Sequence, residues 1–465
     1  MEQYGLLGIF LTLTAIFAIL DLGLGNALNR QLAQYSVQPG KEQDAHDLLR
    51  TLESIYWLVG IVIGVVTVIV APLIAEHWVR ANTLTTERVS QSLAMMGIAI
   101  AVQWPRALYT GGLQGIQQQV LLSVVATVSS TVLAVGGVLI LWLISPTVEA
   151  LIAWTIGVSL VETIATRAVL LGRLPIPLRK PAFSKSQLHA VWRFAAGMTG
   201  ISIMAVILGQ LDKVILSKLL TLEAFGYYSL AWRVVSGLYV LVAPIQSAFF
   251  PRLTQLAAMG DHQEVAHTYH RGTRLMAVSI LPVAVILTLF ARELLELWTM
   301  NVLIANNTGL ILAVLAAGTA INGLMNMPIS VQLAYGWTRL ALFSAIGAVI
   351  VLAPLMWFVS ARYGGLGAAY VWLAFNLCYG AVTLWLMHLK LLRGHLGQWL
   401  VSDIAPVLAV TLLVAGAWKL AIPAPVSYLG TLIGLVAVSL LTALAALLVV
   451  PEIRTWIARR AAAMA

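Results

Sequence analysis

Six ionisable side chains lie inside otherwise apolar stretches: Asp21, Arg106, Glu162, Asp212, Lys213 and Arg233. In a hydrocarbon layer such groups are costly unless they face a wet cavity or a partner, so each is a candidate for function. Arg233 falls near the middle of its run, and Arg106 follows Pro105 inside another. A guanidinium offers paired donors that match phosphate oxygens, which makes Arg106 and Arg233, with Lys213, the candidate cavity set for an anionic substrate. The alternative is structural, with Arg233 tied to a carboxylate such as Asp212 or Glu162. Asp21, Glu162 and Asp212 are candidates for taking up a proton or a sodium ion, as carboxylates do in secondary transporters; packing or interfacial placement is the other reading of each. Adjacent helix residues do not face each other, so Asp212 is expected to point inward while Lys213 snorkels outward. Asp21 sits beside Gly23 and Gly25, where a local helix break is equally expected.

Other chemistry is excluded or poorly supported. There is no HExxH and no Walker loop, and Gly23-Leu24-Gly25-Asn26-Ala27-Leu28 lacks the third glycine of a dinucleotide fingerprint. Lone Cys378 forms no internal disulfide. His262, His267 and His270 are the nearest approach to a histidine cluster, but they share an expected charged loop with Asp261, Glu264 and Arg271, so no metal is expected and no cofactor is implied.

The elements that must position these groups are membrane helices. Of 465 residues, 60% are hydrophobic and 10% charged, where a soluble domain carries roughly 25% charged residues. A hydropathy window of about 19 residues places spans near 4–28, 52–78, 89–112, 119–144, 148–171, 194–219, 225–250, 273–298, 303–333, 339–361, 365–389, 403–422 and 427–450. The fold class is therefore all-α polytopic, with about thirteen transmembrane helices. Barrels are excluded because their strands alternate apolar and polar, whereas Gly60 to Leu73 is broken only by Thr67. The net charge of +9 is scattered between spans without a basic face, which argues against nucleic acid. Counted by alternating side, eighteen of the 27 Lys and Arg fall with the C-terminus, seven fall opposite, and Arg106 and Arg233 stay at membrane depth. That bias predicts a cytoplasmic C-terminus. Prolines 72, 105, 244, 282, 328 and 354 permit kinks. The pairs Gly60/Gly64, Gly111/Gly115 and Gly430/Gly434 suit close helix packing.

Two halves correspond. Glu2-Gln3-Tyr4-Gly5 matches Glu223-Ala224-Phe225-Gly226 at a shift of 221; Ala71, Glu76 and Trp78 match Ala291, Glu296 and Trp298 at 220; and Gln103-Trp104-Pro105 resembles Asn326-Met327-Pro328 at 223. This is the parallel kind of repeat found in transporters. It predicts an N-terminal bundle of five helices over 1–172, a cytoplasmic linker 173–193, a six-helix bundle over 194–391, and an extra helix pair with a basic tail over 392–465. The span 194–219 has no counterpart in the first half, so the repeat predicts a further helix ahead of Met1 and hence a misassigned start or a fragment.

The run Leu20-Asp21-Leu22-Gly23-Leu24-Gly25-Asn26-Ala27-Leu28-Asn29-Arg30 after Tyr4-Gly5, Asp212-Lys213, Phe225-Gly226-Tyr227-Tyr228 with Ala231, and Phe250-Pro251-Arg252 before Gly260-Asp261 resemble a known family. It is the polysaccharide-transporter branch of the multidrug/oligosaccharidyl-lipid/polysaccharide exporter superfamily, which includes flippases for O-antigen and exopolysaccharide repeat units. The resemblance covers essentially the whole chain except the family's first helix. It implies two six-helix bundles around a cavity, alternating access, and export of undecaprenyl-pyrophosphate-linked oligosaccharide across the bacterial inner membrane. Membrane lipids, the lipid-linked oligosaccharide and polysaccharide polymerase machinery are the partners implied. Drug or peptidoglycan-precursor export within the same superfamily is the alternative; a glycosyltransferase or polymer ligase fits less well, because no connection is long enough for a comfortable catalytic loop.

Overall fold

A computed structural model of the chain describes residues 1–189, 207–422 and 427–450, apart from 22, 37, 39 and 208; for Ile19, Asn26 and 338–346 it describes the backbone alone. The expected span 194–219 therefore lies largely outside the described residues, as do the tail 451–465 and its arginines.

Helices dominate, and no strand occurs among the described residues beyond one isolated bridge between Arg80 and Thr221. The chain divides into two compact units, Met1–Gly226 and Tyr227–Ala465. Unit one comprises α1 (Glu2–Phe17), a 3-10 turn (Ala18–Asp21), α2 (Leu24–Tyr35), α3 (Glu42–His77), α4 (Thr86–Gln103), α5 (Arg106–Gly115), α6 (Gln119–Leu143), α7 (Val148–Arg173), α8 (209–219) and the first turn of α9 (Leu222–Ser236). Unit two continues through α10 (Leu238–Met259), α11 (His262–Leu289), α12 (Ala291–Thr299), α13 (Val302–Leu324), α14 (Asn326–Ala334), α15 (Thr338–Lys390), α16 (Leu396–Gln398), α17 (Ala405–Ala421) and α18 (Tyr428–Val449).

Among the described residues nine helices are long and apolar enough to cross a membrane. A span needs about 20 residues, and α6 shows why these helices suit lipid: Val120, Val124, Val128, Val138 and Trp142 are exposed along it. The protein is a multi-pass membrane protein. Observed helices and expected spans do not correspond one to one. The span 4–28 breaks after Asp21, and Gly23 supplies the left-handed backbone (φ 71°) that restarts the chain as α2. The span 89–112 breaks at Trp104-Pro105, because Pro105 has no N–H to continue the ladder of α4. The spans 339–361 and 365–389 form one 53-residue run divided at Gly364, whose φ of 63° and ψ of −148° suit glycine alone.

Element bounds recur between the units. Glu42 and His262 open α3 and α11, and Arg106 and Asn326 open α5 and α14, each at a shift of 220. The repeated Tyr4-Gly5 and Phe225-Gly226 also have a packing reason. A Cβ on Gly5 would lie 2.3 Å from the Leu222 carbonyl, and one on Gly226 would lie 2.7 Å from the Met1 carbonyl. Only glycine lets these two backbones cross so closely.

The last two helices pack on α11 and α12. Val285, Ile286 and Phe290 form a small core with Ala415 and Val438, and Lys419 donates to the Leu289 carbonyl and pairs with Glu293 at 3.6 Å. The described part of the linker is strapped to α3: Asp47 accepts from Arg179 at 2.7 Å and from the Ala182 amide at 2.8 Å, while Thr51 accepts from the Ser184 amide at 2.8 Å.

Candidate functional site

In unit one, the breaks after α1 and α4 border one cavity of about 770 Å³. Asp21 and Gly25 line it from the first break, Gln103 and Arg106 from the second, Ser123 from α6 and Glu162 from α7. Its shape depends on α5 lying directly on α2. A Cβ on Gly111 would come within 2.3 Å of the Gly25 carbonyl, and one on Gly115 within 2.4 Å of the Asn29 carbonyl. Two members of an expected glycine pair thus act as a packing seam. Gly60 and Gly64 do the same against Ala101 of α4, at 2.8 Å and 3.0 Å, whereas Gly434 has nothing within 4 Å.

Arg106 is the first residue of α5, so the proline break points its side chain into the cavity instead of along a continuous helix. Its Nη1 pairs with Glu162 Oε2 at 2.6 Å; the Arg106 side chain is 42% exposed, that of Glu162 11%. One guanidinium edge is therefore committed while the rest stays open. The pairing is anchored nearby: Thr163 donates to the Val102 carbonyl at 3.1 Å, and Thr166 donates to the carbonyl of Glu162 at 2.7 Å.

Asp21 accepts from the Tyr56 hydroxyl of α3. The helix break expected at Asp21 is present, with Asp21 closing the 3-10 turn and Gly23 opening α2. The amide nitrogen of Gln103, also on the cavity wall, is buried without a hydrogen-bond partner.

The cavity brings together three of the six candidates, Asp21, Arg106 and Glu162. Asp212 and Lys213 lie on α8 and do not line it. Contrary to the expectation of opposed directions, Lys213 Nζ reaches back to Asp212 at 3.1 Å and to the Gly209 carbonyl at 3.0 Å, and both residues are buried. The flexible four-carbon stem makes this possible where two short side chains could not meet. Arg233 is exposed on α9 within unit two. Glu162, one of the two carboxylates named as its structural partners, pairs with Arg106.

Other placements differ from expectation. The charged loop around His262, His267 and His270 is the first two turns of α11, capped by Asp261 at the Glu264 amide, 3.0 Å away. His270 is buried there against Asp403, at 2.5 Å. Asp403 was legible in principle, since it is a carboxylate at the start of the apolar run 403–422, but an edge position conceals full burial. No group of three potential metal ligands occurs among the described residues.

Comparison with known proteins places this geometry in context. Residues 1–301 match the protein family described as "Polysaccharide biosynthesis protein". The "Putative O-antigen transporter" of Shigella flexneri is 22% identical over 371 residues, spanning 80% of this chain and 86% of that protein. The solved structure of lipid II flippase MurJ in an inward closed conformation superposes with a TM-score of 0.73 at 13% identity, over 98% of this chain and 97% of that one. An inward-facing multidrug resistance MATE family transporter of the MOP superfamily superposes with a TM-score of 0.72 at 14% identity, over 84% and 90%. The fold is that of these transporters.

Proposed function

The chain belongs to the polysaccharide biosynthesis protein family, and on that premise we propose that it is a flippase for undecaprenyl-pyrophosphate-linked oligosaccharide repeat units. It works by alternating access in the bacterial inner membrane, with the C-terminus cytoplasmic, and is not an enzyme. The moving bodies are the bundles 1–172 and 194–391, joined by 173–193, with 392–465 outside them, and polysaccharide polymerase machinery takes up the product.

The observation that carries the reading is the half-open Arg106–Glu162 pair on the wall of the unit-one cavity. A phosphate entering the site competes with Glu162 for the guanidinium, since both present paired oxygens to the same fork. Protonation of Glu162 frees Arg106 for substrate; deprotonation restores the ion pair and releases it. Glu162 thereby serves as the ion-coupling carboxylate, while Asp21 holds the α1–α2 break. Arg233 and Lys213 remain substrate contacts of the same scheme, and Asp212 an ion-coupling one. Export of a cationic drug has one observation in its favour, because Asp21 and Glu162 outnumber Arg106 on this cavity wall.

The test is transport in liposomes of a fluorescent undecaprenyl-pyrophosphate glycan, read by its protection from an added sugar-modifying enzyme. Arg106→Ala should lower the rate at least about tenfold, the scale of one lost charge-assisted contact. Glu162→Gln should retain binding and lose the pH dependence of turnover. Full transport by Arg106→Ala, or efflux of a cationic dye instead of glycan, would reject the reading.

A further inference from the structure

Unit two contains a charge cluster outside the cavity described above. Asp403 is completely buried, and its two oxygens are divided between Arg274 Nη1 at 2.9 Å and His270 Nδ1 at 2.5 Å. The other nitrogen of His270 meets His395 Nδ1 at 2.9 Å. Tyr269 stacks obliquely on His270, with ring centroids 5.2 Å apart, and reaches His388 at 3.5 Å. Two sides of the protein meet here: His270, Tyr269 and Arg274 belong to α11 and His388 to α15, whereas His395 precedes α16 and Asp403 belongs to the segment leading into the final helix pair.

The backbone at Asp403 is unusual. Trp399–Ile404 is a π-helical segment, just ahead of Pro406 in α17. Pro406 cannot donate to the carbonyl four residues before it, and wide turns of this kind are concentrated at functional positions.

One proton arrangement satisfies every contact: with Asp403 a carboxylate beside Arg274, His270 donates to it from Nδ1 and accepts from His395 at Nε2. One added proton is accommodated without loss of a bond: His270 becomes the imidazolium, and His395 switches tautomer to accept from it. A second proton is not, because two N–H groups would then face each other across the 2.9 Å contact, with Arg274 adjacent and Asp403 the only negative partner among the groups named.

We infer that His270 and His395 form a proton-operated latch that holds the C-terminal helix pair to the rest of unit two and releases it when both rings are protonated. The proton reaches the pair through His395, which is half-buried on the face carrying exposed Lys390 and Arg393, while His270 is sealed. Imidazole is the side-chain type whose ordinary range brings its change of charge between pH 5 and 8. Release would also open a wall of a second, apolar cavity of about 650 Å³, lined by Leu281, Leu324 and Leu384 on one side and by Trp399, Ile404 and Leu408 on the other.

The test uses the full chain in nanodiscs with Cys378→Ser, Gln263→Cys and Gln398→Cys. Gln263 and Gln398 are exposed on α11 and α16, and spin labels there report their separation. The expected result is one narrow distance at pH 7.5 and, at pH 5, a longer second population exceeding half the molecules. His395→Gln, whose amide can still bond to His270 but binds no proton, should keep the narrow distance at both pH values; His395→Asn serves if that variant does not fold. A distance in the parent protein that is unchanged from pH 7.5 to pH 5 overturns the latch. So does the same second population in either His395 variant.

Discussion

Each unit holds an arginine paired with a carboxylate, and the two pairs differ in almost everything except chemistry. In unit one, Arg106 and Glu162 meet at the edge of a cavity, with 42% of the arginine side chain exposed. In unit two, Arg274 and Asp403 are closed in, with the arginine 15% and the carboxylate 0% exposed. Water beside Arg106 lowers the penalty for parting the pair, so another anion can exchange for Glu162. Parting Arg274 from Asp403 strands a charge away from water, and the penalty for that is several kcal/mol per ion. Burial therefore decides which pair exchanges partners at little penalty and which stays closed until protonation of both His270 and His395 opposes it.

The sharpest way to break this comparison is to remove one carboxylate from each pair. Asp403→Ala leaves Arg274 and His270 without their shared acceptor, and we expect a loss of about 3–5 kcal/mol, read as a fall in thermal unfolding temperature in detergent. Glu162→Ala leaves a half-exposed arginine that water can serve, and should lose about 1 kcal/mol or less. Equal losses from both would remove the distinction.

A second expectation separates packing seams from spectator glycines. Gly111→Ala places a methyl group 2.3 Å from the Gly25 carbonyl, so α5 must lift from α2. That overpacking costs about 1–3 kcal/mol and should also slow transport by distorting the cavity. Gly434→Ala has open space around it and should be neutral or stabilise by up to about 1 kcal/mol through helix propensity.

The sequence carried the architecture well because its signals are local. Apolar runs mark membrane helices whatever they pack against, and Pro105 and Gly23 mark breaks through backbone chemistry alone. Arg106, Glu162 and Asp21 were visible as ionisable groups in apolar surroundings. Their grouping was not, because it depends on how α2, α5 and α7 cross. The same holds more strongly in unit two: His270 and Asp403 are 133 positions apart, and neither has a neighbour in sequence that announces the other. Lys213 shows the opposite failure, where a rule about adjacent helix positions was overridden by a long, flexible side chain.

A further expectation concerns Glu2, ahead of the first expected span, and separates the units by pH. The Glu2 carboxylate accepts from the Asn82 amide at 2.6 Å, the Thr83 hydroxyl at 2.6 Å and amide at 3.0 Å, and the Leu84 amide at 2.9 Å. Burial pushes its pKa up, but the Thr83 hydroxyl and the three amides together hold it below the ordinary 4.5. A depressed carboxylate contributes its full stability above the unfolded value and loses it only as pH falls through the lower folded value. The loop at 82–84 should therefore stay protected from protease down to about pH 4.5, including at pH 5, where the proposed latch is tested. Glu2→Gln should expose that loop at every pH, with a loss of about 1–2 kcal/mol. Cleavage of the parent loop that rises already between pH 7 and pH 5 would show that the two regions do not respond to protons independently.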